Sequence, residues 1–200
     1  LHGGYTGYNS PTMLHILPLE PVDYLVIGHI TVDLTPSGPV LGGSAVYSAL
    51  TARALGLRVG IVTMRGNEIS LDGLEGIPVV SGEAETSTTY ENIYTSQGRT
   101  QHIRRVAPKI DFAIVPEAWR RAKIIHLAPV AQEVDSVLPP GFRPSLLGLT
   151  PQGWMRAWDE NGLVRPCAWD RAEFALEGAG AVVFSLEDVG GDEEDRKSVV

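Results

Sequence analysis

A single cysteine, Cys167, stands in a chain of 200 residues, so no disulfide can form within it. Such usage fits a reducing, cytoplasmic setting, and a lone cysteine is most often a small, partly buried side chain. Positive charge is also scarce. Sixteen Lys and Arg stand against 24 Asp and Glu, a net charge of -8, which offers no basic footprint for a nucleic-acid backbone. Long apolar runs are absent too. The uncharged stretch from Leu34 to Ala52 holds Pro36, Pro39 and a glycine pair, which excludes a membrane span. The first 19 residues lack charge but have no basic start and no unbroken apolar core, so they do not read as a secretory signal. No phosphate-wrapping G-x-x-x-x-G-K-[ST] loop occurs, because the Lys-Ser pair of "GGDEEDRKS" lacks that spacing. The histidines show no zinc spacing, and the acidic run from 187 to 195 lacks the alternation of a calcium loop and reads as a solvated face.

What the chain does have is 44% apolar residues, enough for one sizeable core. Residues 1–21 read as an N-terminal extension and 22–200 as one α/β domain. Short β-branched bursts recur at 24–30, 58–63, 123–130, 146–150 and 181–185, apolar on both faces as in a parallel sheet covered on each side. Between them "SAVYSALTARAL" spaces Val46, Ala49, Leu50 and Ala54 along one helical face and ends at Gly56. "EAWRRAK" and "WDRAEFALEGAG" are further helix candidates. The alternation predicts a doubly wound, mostly parallel sheet. One segment breaks the rhythm: residues 86–106, rich in Thr, Tyr and Ile around "SQGR", predict an antiparallel hairpin turning at Gly98. Polar on both faces, it is expected to stand off the sheet as a small lid, completed by residues 34–41.

In an open parallel sheet, ligands sit beyond the carboxyl ends of the strands. Asp33 is placed just past the first burst, where a carboxylate accepts hydrogen bonds from vicinal hydroxyls. Gly42 and Gly43 follow at the start of the next helix, with free N–H groups and no side chains in the way. Together they describe a sugar-sized pocket. The plainer alternative is that Asp33 caps a turn and the glycines serve helix packing. Two other features favour packing over chemistry: His126 inside an apolar strand, and Trp154 and Trp158 at i, i+4 spacing in "TPQGWMRAWDENG".

"GHITVD" followed by "GGSAVYSALTARALGLRVGIVT" resembles the amino-terminal signature of the PfkB carbohydrate kinases, the ribokinase-like family, and "VVFSLEDV" is similar to that family's Asn-x-x-Glu strand end. The likeness covers about residues 22–190. It implies a ribokinase-like fold and phosphoryl transfer from ATP with Mg2+ to a hydroxyl of a sugar or related polyol. By this resemblance Asp33, Gly42, Gly43 and Tyr47 bind the substrate. Ser185 and Asp188 match the cofactor-binding element, with Asp188 beside the metal. The sequence departs from the pattern at Tyr47, which stands where many members have Asn, and at Ser185 and Asp188, which replace the Asn and Glu.

The family's Gly-Ala-Gly-Asp helix start, whose Asp takes the proton from the attacking hydroxyl, has no match. "EGAGAVV" imitates it, but Ala181 occupies the Asp position and the segment runs into a strand, so it reads as a helix-to-strand turn. The expectation is a kinase present without its catalytic C-terminal part, with no catalytic residue in this chain. The alternative is a non-catalytic sugar- or nucleoside-binding module. Neither a nucleic acid nor a membrane is expected as a partner, and pairing of lid edges into a homodimer is plausible.

Overall fold

The computed structural model describes residues 19–96 and 98–188. In chain order the elements are β1 (Tyr24–Ile27), β2 (Thr31–Thr35), β3 (Gly38–Gly42), α1 (Ser44–Ala54), β4 (Val59–Arg65), β5 (Val79–Glu83), β6 (Thr89–Thr95), β7 (Gly98–Arg105), β8 (Ile124–Leu127), β9 (Leu146–Leu149), β10 (Arg156–Trp158), β11 (Val164–Pro166), α2 (Ala172–Gly178) and β12 (Ala181–Val182). Six strands form one sheet in the order β12-β9-β8-β1-β4-β5, and every neighbouring pair in it is parallel. A four-stranded sheet, β3-β2-β6-β7, stands apart from it, and β10 and β11 form a separate hairpin.

The apolar bursts become the parallel strands because both of their faces are covered. On one side α1 presses Ala45, Val46, Ala49 and Ala52 onto Val26, Val59 and Ile61. The buried face is therefore 45/46/49/52 rather than the expected one: Ala54 is exposed, and Leu55 beyond it is 76% exposed. Small residues let the helix approach the sheet closely, and Gly56 ends it with φ 84°. On the other side Leu25, Ile27, Val62, Ile125 and Leu127 pack with Trp119 and Trp154. The Trp119 ring lies on Gly60, where a Cβ would meet it at 2.9 Å, and its Nε1 donates to the Glu20 carbonyl at 2.9 Å.

Several expectations need correction. "EAWRRAK" forms only a 3-10 turn, Glu117–Trp119, and the later helix spans only 172–178. "TPQGWMRAWDENG" is not helical: a 3-10 turn at Pro151–Gly153 leads into β10. Trp154 is buried and stacks on Trp169 (centroids 4.8 Å, planes 17° apart), while Trp158 belongs to a strand. The turn at 177–183 does join helix to strand, from α2 to β12. The first burst stops at Ile27; a Cβ at Gly28 would run into the Ala128 backbone, and the chain then leaves the sheet. Buried His29 and Ile30 fix the departure: the His29 N–H donates to Glu133 Oε1 and the Ile30 N–H to Thr63 Oγ1, each at 2.9 Å. Asp33 consequently lies in the middle of β2 in the four-stranded sheet, not at the end of the first parallel strand. Residues 1–18 and the acidic tail from 189 lie outside the described residues. Among the described helices, none is long and apolar enough to cross a membrane.

Candidate functional site

Side chains alternate across a strand, so register decides which residues of the four-stranded sheet share a face. Asp33 pairs with Tyr90, and Tyr90 with Ile103; at the next two positions on the same face, Asn92 pairs with Gln101 and Tyr94 with Arg99. Tyr90 and Ile103 are buried against Val130 and Ala131, with Trp158 and Val164 of the β10–β11 hairpin packed over them. The remaining polar part of that face carries Asp33, Asn92, Arg99 and Gln101. Asn92 Oδ1 accepts from Arg99 Nε and Gln101 Nε2, both at 3.0 Å, which fixes those two long side chains. Beside them a cavity of about 490 Å3 opens between the β6–β7 and β10–β11 hairpins, lined by Arg99, Gln101, Arg156, Arg165, Glu187 and Asp188 among others.

Asp33 Oδ1 accepts a hydrogen bond from the Thr31 hydroxyl at 3.0 Å. Burial pushes its carboxyl above the usual range, opposed by that bond and by the positive charges of Arg99 and Arg156. Burial likewise pushes the Tyr90 phenol up, so it stays a donor and gives a 2.5 Å hydrogen bond to the Val130 carbonyl. Arg156 is held among uncharged acceptors: with the Gln152 amide oxygen turned toward it, that oxygen accepts from Nη1 and Nη2 at 2.5 and 2.8 Å. The nearest carboxylate oxygen, Asp188 Oδ1, is 3.9 Å away.

Ser185 and Asp188 do come together. Asp188 Oδ2 accepts from the Ser185 N–H (2.8 Å) and hydroxyl (2.9 Å), closing a small turn beside Arg156. Adjacent Glu187 pairs with Arg99 at 3.0 Å, joining the β6–β7 hairpin to this turn. Among the described residues no group of three His, Cys, Asp or Glu side chains is arranged to hold a metal ion. With one Asp188 oxygen committed to Ser185 and the other beside a guanidinium, the described residues do not fit a magnesium site.

The glycine pair works differently from expectation. Gly42 ends β3 rather than starting the helix, and the space left by its missing side chain is filled by the Asp33 carboxylate. Gly43 is the N-cap of α1 with φ 93°, and a Cβ there would meet the His29 carbonyl at 2.6 Å. Both glycines thus let backbone and carboxylate close up, and no ring fits between Asp33 and Gly42. Tyr47 points elsewhere: it is 59% exposed and shares a shallow depression with Tyr24, Thr51, Leu55 and Ile124.

Sequence reasoning missed Glu133, which is 1% exposed at the carboxyl end of the central strands. Its carboxylate accepts from the N–H groups of His29 (2.9 Å), Val130 (3.0 Å) and Ala131 (2.7 Å), and so ties the β1 exit to the loop after β8. His29 extends the tie. Its Nε2 donates to the Pro108 carbonyl at 2.9 Å, and Nδ1 accepts from the Thr88 hydroxyl at 2.7 Å. An acid directly after a strand burst, in "APVAQE", was the available signal. His126 is the satisfied core histidine expected, with Nδ1 2.6 Å from the Tyr24 hydroxyl and Nε2 3.1 Å from Thr150 Oγ1. Burial holds its pKa down at about 4.

No family model matches the sequence. Two solved structures superpose over 88% of this chain, both at 21% identity. One is a pyrophosphate-dependent kinase in the ribokinase family complexed with a pyrophosphate analog and myo-inositol (TM-score 0.71, 66% of that chain covered). The other is a sulfate complex of a pyrophosphate-dependent kinase in the ribokinase family (TM-score 0.72, 67% covered). This chain has the ribokinase-like fold. A curated cytidine kinase of Thermococcus kodakarensis is 26% identical over 132 residues, which are 56% of this chain and 45% of that protein. The ribokinase-like chain thus spans less than half of its curated relative and about two thirds of these structural neighbours.

Proposed function

We propose that this chain is the acceptor-binding part of a phosphotransferase that phosphorylates a hydroxyl of a sugar, a related polyol or a nucleoside. The observation that carries this reading is Asp33: a half-buried carboxylate with Thr31 as its hydroxyl donor, on the polar face of the four-stranded sheet next to the cavity. A carboxylate there accepts hydrogen bonds from two neighbouring hydroxyls of a ring. The fold neighbours and the curated relative support it in what their names share, a kinase fold met with myo-inositol in one case and cytidine in another, both ring compounds with vicinal hydroxyls. Gly42 and Gly43 serve by seating Asp33 and the start of α1.

ATP with Mg2+ remains the proposed donor. Because the described residues do not fit the metal, no step of the transfer is assigned to them. Their work is to bind and orient the acceptor and to exclude water, which competes with its hydroxyl for the phosphoryl group. The four-stranded sheet and the Arg99–Glu187 pair flank the cavity and are the parts suited to that exclusion.

The test uses the full-length protein and a panel of sugars, inositols and nucleosides, with binding read by calorimetry and turnover by ATP consumption. Asp33→Asn is expected to weaken acceptor binding at least tenfold. Unchanged affinity would remove Asp33 from the site. Binding without turnover would favour the non-catalytic binding module.

A further inference from the structure

We propose that Arg156, which lines the cavity and whose charge reaches Asp33, is a second acceptor-binding residue, and that the two together select an uncharged polyhydroxylated ring. It rests on the acceptor-binding role proposed above and adds a second group that reads the ring.

The position of Arg156 is tightly built. It opens β10, which follows the 3-10 turn at Pro151–Gly153, where Gly153 presses on the Pro129–Val130 backbone so closely that no side chain fits. Its own carbonyl accepts from Gln132 Nε2 at 2.5 Å, and Gln132 is held at φ 60°, a left-handed conformation costly for a residue with a side chain. The Arg156–Pro166 pairing and the 2.9 Å bond from the Cys167 N–H to the Met155 carbonyl keep the hairpin in register. A guanidinium on such a support is pre-organised to bind.

Its partners leave work undone. The Arg156 side chain is only 16% exposed, yet its close acceptors, the Gln152 amide and the Tyr90 hydroxyl, are both neutral, and the Asp188 oxygen at 3.9 Å is beyond hydrogen-bond range. Burying a cation without a hydrogen-bonded counter-charge is unfavourable. Asp33 shows the same deficit with opposite sign, having a single hydroxyl donor from Thr31. Guanidinium only donates and carboxylate only accepts, whereas a hydroxyl does both. A ring between them that donates to Asp33 and accepts from Arg156 satisfies both groups at once. The cavity lining sets Arg99, Arg156 and Arg165 among Glu187 and Asp188, and Asp33 feels the charges of Arg99 and Arg156, so the site is close to balanced in charge and an anionic guest would upset that balance.

The test uses the full-length protein with three probes: myo-inositol, cytidine, and glucuronate as an anionic ring. Arg156→Gln is expected to raise the dissociation constant of the better neutral probe at least tenfold while the unliganded melting temperature moves by only a few degrees, and Arg156→Lys is expected to restore part of the affinity. Combined with Asp33→Asn it is expected to lose less than the two single effects multiplied, because both residues hold one ring. Wild-type affinity in Arg156→Gln with weakened binding in Asp33→Asn would overturn this proposal and leave the acceptor-binding role standing. Wild-type affinity in both would overturn both. If Arg156→Gln fails to fold, Arg156→Lys decides on the same criterion. Tighter binding of glucuronate than of either neutral ring, or no binding of a neutral ring by the wild type, would also overturn the proposal.

Discussion

The Asp33 carboxylate lies against the α-carbon of Gly42, in the volume that any side chain at position 42 would occupy. Aspartate and glycine therefore act as one unit: the glycine decides where the carboxylate sits, and the carboxylate explains the glycine. Thr31, paired with Gly42 across β2 and β3, completes the unit through its hydroxyl.

Gly42→Ala is the smallest change that separates the two. The new methyl group must displace the carboxylate, since the other side of Gly42 is strand backbone. A loss of roughly 1–3 kcal/mol in stability is expected for such overpacking, together with weaker acceptor binding. Urea unfolding and calorimetry on the full-length protein measure the two effects separately.

Asp33 itself is expected to cost stability at neutral pH. Its folded pKa lies above the unfolded value because burial disfavours the ionised form, so its contribution to folding is most favourable at acid pH and is lost as pH rises through the folded pKa. Asp33→Asn is thus expected to raise the melting temperature at pH 7 while weakening acceptor binding, and the gain is expected to shrink toward pH 4. A variant less stable than wild type at pH 7 would contradict this account of the carboxylate.

His126 predicts the opposite slope. Its folded pKa of about 4 is below the unfolded value of about 6.5. The unfolded chain therefore binds more protons between those values, and stability falls as pH drops from about 6.5 to about 4. His126→Gln keeps polar partners for Tyr24 and Thr150 and is expected to flatten that part of the urea-midpoint profile.

Glu133→Ala would leave the buried N–H groups of His29, Val130 and Ala131 without an acceptor. Each unmade bond of this kind costs about 1–3 kcal/mol, so a loss of at least about 3 kcal/mol is expected. Hydrogen exchange offers a finer reading, with protection lost first at His29 and Ala131. Unchanged protection there would mean that the carboxylate does not organise the β1 exit.

The parallel sheet was legible in the sequence because its strands at 24–27, 59–65, 124–127 and 146–149 are short apolar bursts. β5 was missed: Val79–Glu83 is an edge strand with a half-polar pattern that resembles a loop. Asp33 could be found from its spacing to the glycine pair, but its neighbours could not. Asn92, Arg99 and Gln101 meet Asp33 through the register of four strands, and Arg156 arrives from a hairpin more than a hundred residues downstream. Nothing local in "WMRAW" distinguishes a strand arginine aimed at a cavity from a helical one, and there the tryptophan spacing pointed to the wrong period. Tyr47 shows the converse limit, a position matched by motif whose side chain the helix turns toward a different depression.

A crystal structure of the full-length protein with its tightest-binding neutral ring tests the central claim most directly. Two adjacent hydroxyl oxygens are expected at about 2.7 Å from the Asp33 carboxylate, the usual distance for such bonds. A ring bound away from Asp33, with the carboxylate still touching only Thr31 and Gly42, would contradict the account.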